Sequence, residues 1–462
     1  MSLNSISPID GRYEKASSAL APIFSERGLM RYRVIVEGEY LIALSELKTK
    51  LRKLSDKEKK IIRDLYDLSK KDAQVICDIE TKGYKSIKAT DHDVKAVEYF
   101  MKERLSGTTL KDVLEWIHFG LTSEDTNNLA YGLMLRDGTE ILIKKLKEII
   151  KEIAKLAQTH KSLPMLARTH GQPATPTTFG KEMKVFAQRL ERGINHLFGQ
   201  KILVKLNGAT GNYNAHVVAF PNINWLNFTK TFIARLNNLE PKILRLEPNL
   251  YTTQIEPHDS YVELFDRFKR LNNMLIDFNQ DMWRYISDDW IVQKPAEGTV
   301  GSSTMPHKIN PIKFENSEGN LGIANSMFEF FGRKLPISRL QRDLSDSTVQ
   351  RNFGVAFAHS LIAYEYLLKG LSKINVNKNK ILEALNSHPE VIAEAIQTIL
   401  RREGAEFPYE KLKELTRGKK VTMQDFSNFI DNLKVSDKVK KELKKITPEN
   451  YIGLASKLAT LK

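Results

Sequence analysis

Cysteine is almost absent: the 462 residues hold one, Cys77, so no internal disulfide can form and a reducing compartment is expected. A lone cysteine can be a reactive thiol, but AQVICDIE has helical spacing that puts Cys77 on an apolar face, where packing is the expected role. No run of about 18 apolar residues occurs, which excludes a membrane-spanning helix. The opening MSLNSISPIDGRY lacks the apolar core of a signal peptide, so a cytoplasmic location is expected. Strand signals are scarce as well. Short β-prone pieces such as KILVKL exist, but sustained alternation does not. Internal repeats, low-complexity tracts and flexible linkers are missing too.

Negative charge is outnumbered, and the net charge of +15 raises the question of nucleic acid. The lysines of KEKKIIRDLYDLSKK, KKLKEIIKEIAK and DKVKKELKK fall at helix-surface spacing among Asp and Glu, which is the pattern of solvated helix faces. No nucleic-acid partner is therefore expected, although a basic surface would draw in a small polyanion. A hydrophobic fraction of 41% and a charged fraction of 27% are those of a globular protein, and 462 residues exceed one ordinary core.

What is present is helix. Leu142, Leu146, Ile149, Ile153 and Leu156 step by three and four, as do Phe179, Met183, Phe186, Leu190, Ile194 and Leu197. Tyr261, Leu264, Phe268, Leu271, Leu275, Phe278 and Met282 extend the pattern over six turns, and Val349, Phe353, Ala356, Ser360, Ala363 and Leu367 carry another helix. A further helix is expected from about Ile312 to Phe331. Helices of this length need a shared core about 30 Å long, so the expected class is all-α with a central bundle. Short helical segments before about residue 111, and shorter, more charged ones after about 371, divide the chain into expected domains at 1–111, 112–371 and 372–462.

Polar islands interrupt this pattern. SPIDGRY puts Arg12 and Tyr13 after a turn, a pair that can bind an anion and a ring. KATDHDVKAV sets Asp91, His92 and Asp93 at a helix start, where an N-cap is the plain explanation. HFGLTSEDTNN packs Thr122, Ser123, Glu124, Asp125, Asn127 and Asn128 into otherwise apolar helix-forming sequence; at that density the groups must bond one another or face a ligand. ARTHGQPATPTTFGKE, NGATGNYNAH, YTTQIEPHDS and the loop GSSTMPHKINP each carry a histidine at the end of a long helix. A lone histidine usually caps or packs, but antiparallel helices bring such ends together. Gly301 and Pro306 mark the last stretch as a loop able to change shape.

Several chemistries have no motif here. There is no HExxH, no paired cysteine and no dense carboxylate–histidine spacing, so no metal is expected. Phosphate-loop and dinucleotide fingerprints are missing, so no cofactor is expected, and the serine pair lacks the G-x-S-x-G elbow of acyl transfer. Acid–base chemistry on a bound anion is left, with hydroxyls, amides, Lys308 and arginines as donors.

GSSTMPHKINP resembles the signature loop GSSxMPxKxNP of the fumarase, aspartase and argininosuccinate lyase superfamily, whose members break a carbon–nitrogen or carbon–oxygen bond and release fumarate. SPIDGRY, HFGLTSEDTNN, ARTHGQPATPTTFGKE and YTTQIEPHD are similar to the bacterial-type adenylosuccinate lyase family within it, and RTHGQPATPTT separates that family from argininosuccinate lyases and fumarases. The likeness runs from residue 8 to YEKLKELTRGKK. It implies elimination of fumarate from adenylosuccinate to give AMP, and from the succinyl adduct of the imidazole carboxamide ribotide (SAICAR) to give AICAR, in purine synthesis. By that resemblance Ser302 is the base and His170 the acid, with His92 the second histidine. Arg12 and Tyr13 lie near phosphate and ring, with Asp91, His92 and Asp93 behind them. Thr122 and Ser123 hold a fumaryl carboxylate, while Gln254, Ser303, Lys308, Asn310 and Asn316 line the remainder. Arg342, Ser347 and Arg351 form a phosphate and carboxylate clamp, although pairing with Asp343 and Asp346 would also account for the two arginines. The implied fold has three helical domains, assembled as a homotetramer with a twenty-helix core and active sites shared between subunits. Another fumarate-releasing lyase, such as argininosuccinate lyase, and a non-catalytic scaffold or RNA-binding protein on the same fold are the alternatives. Gly120 departs from the small apolar residue common in related sequences, and Asp91 occupies a variable site.

Overall fold

The computed structural model describes residues 3–240, 242–294, 305, 307–418 and 420–461. In chain order the helices that carry the account are α1 (Glu26–Leu44), α2 (Lys70–Thr81), α3 (Asp93–Leu105), α4 (Ser123–Thr159), α5 (Phe179–Asn195), α6 (Asp259–Ser287), α7 (Ile312–Lys334), α8 (Ser345–Gln350) and α9 (Phe353–Leu371). Three two-stranded sheets accompany them: β1 (Pro164–Thr169) with β2 (Gln172–Thr178), β3 (Lys201–Val204) with β4 (Arg245–Pro248), and β5 (Ile291–Gln293) with β6 (Ile374–Val376). The class is all-α, as the periodicity predicts. Among the described residues no helix is long and apolar enough to cross a membrane.

The chain forms two compact units, one from residues 1–146, 193–275 and 319–365, the other from 147–192, 276–318 and 366–462. The predicted stripes are the buried ones: Tyr261, Leu264, Phe268, Leu271, Leu275, Phe278 and Met282 are wholly inaccessible along α6, and among the named α4 positions only Leu156 is half-buried. In the first unit α6, α7 and α9 meet through a phenylalanine cluster, with Phe265–Phe353 at 5.1 Å, Phe265–Phe328 at 5.5 Å and Phe268–Phe357 at 5.3 Å between ring centres. One polar group inside that core is fully partnered. Asn272 donates to Ser360 Oγ (3.2 Å) and accepts from the Tyr364 hydroxyl (2.6 Å).

Helix α1 is buried almost all round, so its charged residues need partners. Arg33 donates to Asn127 Oδ1 (2.8 Å) and Asp93 Oδ2 (2.7 Å), while Glu37 Oε1 accepts from Thr126 Oγ1 (2.7 Å) and faces His118 Nδ1 at 2.6 Å. These bonds tie α1 to the starts of α3 and α4, where the polar islands lie. Cys77 sits half-buried in α2, and burial pushes its thiol up, away from the thiolate a reactive cysteine needs.

In the second unit one described segment differs from expectation in a way that bears on the site. ARTHGQPATPTT is not an irregular helix end but the antiparallel hairpin β1–β2, with Thr169 opposite Gln172 and a register irregularity between Met165 and Ala167. His170 (φ +52°) and Gly171 (φ +74°) make its two-residue turn, both in the left-handed region that a type I′ hairpin requires. The chain runs on into α5 with Gly180 pressed against Lys161, where a Cβ would stand 2.5 Å from the Lys161 Cα. KILV does form a strand, β3, paired in parallel with β4.

Candidate active site

In the first unit, Thr122 and Ser123 sit at the N-terminus of the 37-residue helix α4. Asp125, in its first turn, fixes that end by accepting from the Thr122 backbone N–H (2.9 Å), half of a capping box. The same carboxylate accepts from the N–H groups of Asn207 (3.0 Å) and Gly208 (3.1 Å) and pairs with Lys205 Nζ at 2.7 Å, both side chains being 0% exposed. The helix end is thus locked to the 205–208 segment while its N–H groups and dipole favour a bound anion. Breaking a buried pair leaves a bare charge. Lys205→Met is expected to cost about 3–5 kcal/mol of stability, read from denaturant midpoints; a loss under about 1 kcal/mol would count against this account.

His92 caps α3: its Nδ1 accepts from the Lys95 N–H (3.3 Å), which leaves the proton on Nε2, 3.3 Å from Ser123 Oγ. The N-cap explanation of this island therefore holds, and it also delivers an imidazole N–H to the Thr122–Ser123 turn. Asp91 is exposed with φ +46°, and Asp93 is drawn below its usual range, burial opposing and Arg33 and Arg351 prevailing.

Of the simple pairs expected along this segment Arg342 makes one, to Asp346, while Arg351 is held by other partners. Arg351 is held by Glu26 (2.9 and 3.0 Å) and by Asp93 Oδ2 (2.6 Å). Arg342 reaches Asp346 Oδ1 at 3.5 Å, but it lies nearer to buried Glu124 (3.1 Å) and faces Gln254 Oε1 at 3.4 Å. Asp343 pairs instead with Arg339. The Ser347 backbone N–H donates to Asp346 Oδ1 (2.8 Å). A cavity of about 520 Å³ opens beside Arg351, lined also by Asp10, Ser18, Phe24 and Glu26. Arg12 and Tyr13, exposed and half-buried, are not part of its wall.

The remaining predicted residues belong to the second unit. His170 is exposed at the hairpin tip, with Arg168 Nη1 donating to the Gly171 carbonyl (3.4 Å) beside it. Lys308 is exposed, and Asn310 and Asn316, the latter in the second turn of α7, are half-buried. Gln293 Nε2 donates to the Ile309 carbonyl (2.8 Å), holding this end of the loop. Ser302 and Ser303 lie outside the described residues.

Two of the four expected histidine islands resolve into packing. His216 is buried against Tyr40 (3.0 Å to its hydroxyl) and Trp225, and burial holds its imidazole low. Gly120 follows from it, since φ is +68° and a Cβ there would stand 3.0 Å from His216 Nε2. His258 is inaccessible, and burial takes it down to about 4. Sequence reasoning missed Glu26, Arg33 and Lys205 as partners of the predicted residues; Asp346 was named as a partner for the arginines, and the density of polar groups in HFGLTSEDTNN signalled Asp125.

A family model described as Lyase matches residues 11–324, and one described as Adenylosuccinate lyase C-terminal matches 338–452. The chain is 50% identical to adenylosuccinate lyase of Dictyostelium discoideum over 98% of its own length and 97% of that protein. It is 48% identical to those of Haemophilus influenzae (99% and 98% covered) and Escherichia coli K12 (98% and 97%). Among solved structures, a fumarate lyase from Mesorhizobium sp. BNC1 superposes with TM-score 0.72 at 16% identity over 96% of both chains. The 3-carboxy-cis,cis-muconate lactonizing enzyme from Pseudomonas putida does so with TM-score 0.72 at 19%, over 96% of this chain and 95% of that one. These two share the fold; the near-full-length identities carry more, and by them this chain belongs to the adenylosuccinate lyase family.

Proposed function

We infer that this chain is a carbon–nitrogen lyase that splits adenylosuccinate into AMP and fumarate, and SAICAR into AICAR and fumarate, in purine nucleotide biosynthesis. The observation that carries this reading is identity of 48–50% over essentially the whole length of relatives named adenylosuccinate lyase. The chemistry is a β-elimination. A base takes the proton on the carbon beside one succinyl carboxylate, the carbon–nitrogen bond breaks, and an acid protonates the departing nitrogen. The electron pair left on carbon delocalises into that carboxylate, so no helper molecule is required and preorganised donors supply the main stabilisation.

The substrate carries a phosphate and two carboxylates, and the residues proposed to meet them are basic or N–H-rich. The α4 N-terminus with Thr122 and Ser123 suits a carboxylate, as do Lys308, Arg342 and Arg351, with Arg12, Tyr13, Gln254, Ser303, Asn310, Asn316 and Ser347 completing the wall. Ser302 is assigned as base and His170 as acid. A serine hydroxyl is far from its working protonation state in water, so a dry loop beside Lys308 must stabilise the alkoxide. His170 supplies an imidazole, the side chain most often used as a general acid.

The functional molecule is proposed to be a homotetramer whose sites take residues from several copies. An acid at an exposed hairpin tip supports this, as does apolar surface on the long helices: Trp283, Ile323 and Phe330 are 45–48% exposed, and Gly319 and Gly322 have open space beside them. Following fumarate absorbance with purified protein tests the whole reading. Release from adenylosuccinate, and none from argininosuccinate, is expected; release from argininosuccinate alone would replace this assignment, and salt-sensitive RNA retention without fumarate would point to a scaffold.

A further inference from the structure

Arg342 is gripped from below by a buried acidic pair. Its Nη2 lies 3.1 Å from Glu124 Oε2 and 3.5 Å from Asp346 Oδ1, with those side chains 1% and 4% exposed and Arg342 itself 13%. Gln350 Nε2 donates to Asp346 Oδ2 (3.3 Å) and lies 3.3 Å from His258 Nε2, which therefore accepts. The other carboxylate oxygen of Glu124, Oε1, is buried with no partner. Glu124, His258 and Asp346 bring ligand atoms within 4.8 Å of one another, the spacing of a cation site, but the guanidinium already occupies the cation's place.

Charge is out of balance in this network. The groups facing Glu124 are Arg342 and Lys205, both positive, and Asp346 and Asp125, both negative. His258 is held neutral by burial and supplies nothing. With every carboxyl ionised, three negative charges stand against two positive ones in a region closed to water, and one added proton restores neutrality.

We propose that Glu124 and Asp346 form a one-proton mount for Arg342, in which a proton held on Glu124 leaves the guanidinium a surplus of positive field for the anionic substrate and its loss draws the guanidinium wholly onto the mount. Glu124 is then a positioning residue: it acts through Arg342 and touches no reacting atom. The inference rests on the reading above in which Arg342 meets substrate. Burial, reinforced by Asp346 and opposed by Arg342, raises Glu124 to about 8, so the mount empties on the alkaline side of neutrality.

Steady-state kinetics on adenylosuccinate from about pH 6.5 to about 9.5 test it. In the unsubstituted enzyme KM should rise above about pH 8, approaching tenfold per pH unit, with kcat moving less. Glu124→Gln, a fixed neutral isostere of the protonated acid, should flatten that rise. An unchanged alkaline rise in Glu124→Gln would overturn the proposal, as would a large KM at every pH in a correctly assembled variant. Arg342→Gln separates the two readings: KM within about twofold of normal would remove Arg342 from the substrate and sink the underlying assignment, whereas a raised KM with an unaltered Glu124→Gln profile sinks only the mount. Should Glu124→Gln fail to fold, infrared titration of the unsubstituted protein decides the matter. A buried carboxylic-acid band that disappears near pH 8 is expected, and its absence at neutral pH would overturn the proposal.

Discussion

Ser302→Ala is expected to lower turnover on adenylosuccinate by about 10³- to 10⁴-fold while leaving KM within a few-fold of normal. The reason lies in what each group does. On the proposed assignment, substrate affinity comes from the anion contacts: the α4 N-terminus, Arg342, Arg351 and Lys308. Alanine at 302 removes none of these. It removes the only group assigned to take the carbon-bound proton, and that transfer occurs in the transition state alone, so the loss falls on kcat. Single-turnover measurement of fumarate release is the direct check, because it isolates chemistry from product release. Turnover within about tenfold of normal would transfer the base role to another residue and leave the loop a binding element only.

The helices were legible and the contacts between them were not. Apolar residues at three- and four-residue steps mark α4, α5, α6 and α9 because one face of each must be buried, and the named α6 positions are inaccessible one after another. The β1–β2 hairpin was illegible for an equally physical reason. QPATPTT has two prolines and no alternation, and its turn is His-Gly in place of the usual Asn-Gly, so pairing with β1 decides its conformation where local preference does not.

For the candidate site, the motifs named residues and missed several of their neighbours. Arg351 was visible in QRDLSDSTVQR, but its partner Glu26 is 325 positions away along the chain and carries no pattern of its own. The same holds for Lys205 beneath Asp125, a pair that only three-dimensional packing creates. His216 and His258 mislead in the opposite sense. Each sits in a polar-looking stretch, yet each is enclosed, and composition cannot distinguish an imidazole that serves a ligand from one that serves the core.

With His170 as the proposed acid, His170→Gln should be as damaging as Ser302→Ala, with turnover down by about 10²- to 10⁴-fold, since the departing nitrogen would then leave unprotonated. Its position makes a stronger test possible. The imidazole is exposed at the tip of a two-residue turn whose backbone is set by Gly171 and the β1–β2 ladder, so glutamine leaves the hairpin intact. If sites are assembled from several chains, two inactive variants carry complementary defects. Mixed oligomers of His170→Gln and Ser302→Ala chains, made by co-expression or by dissociation and reassociation, will contain some sites that draw an intact serine from one chain and an intact histidine from another. Activity well above either parent is therefore expected in the mixture, and it should scale with the product of the two chain fractions, vanishing when either is scarce. Mixed oligomers verified by mass that remain as inactive as the parents would mean that one chain supplies both groups, and the shared-site reading would fall while the elimination chemistry stood.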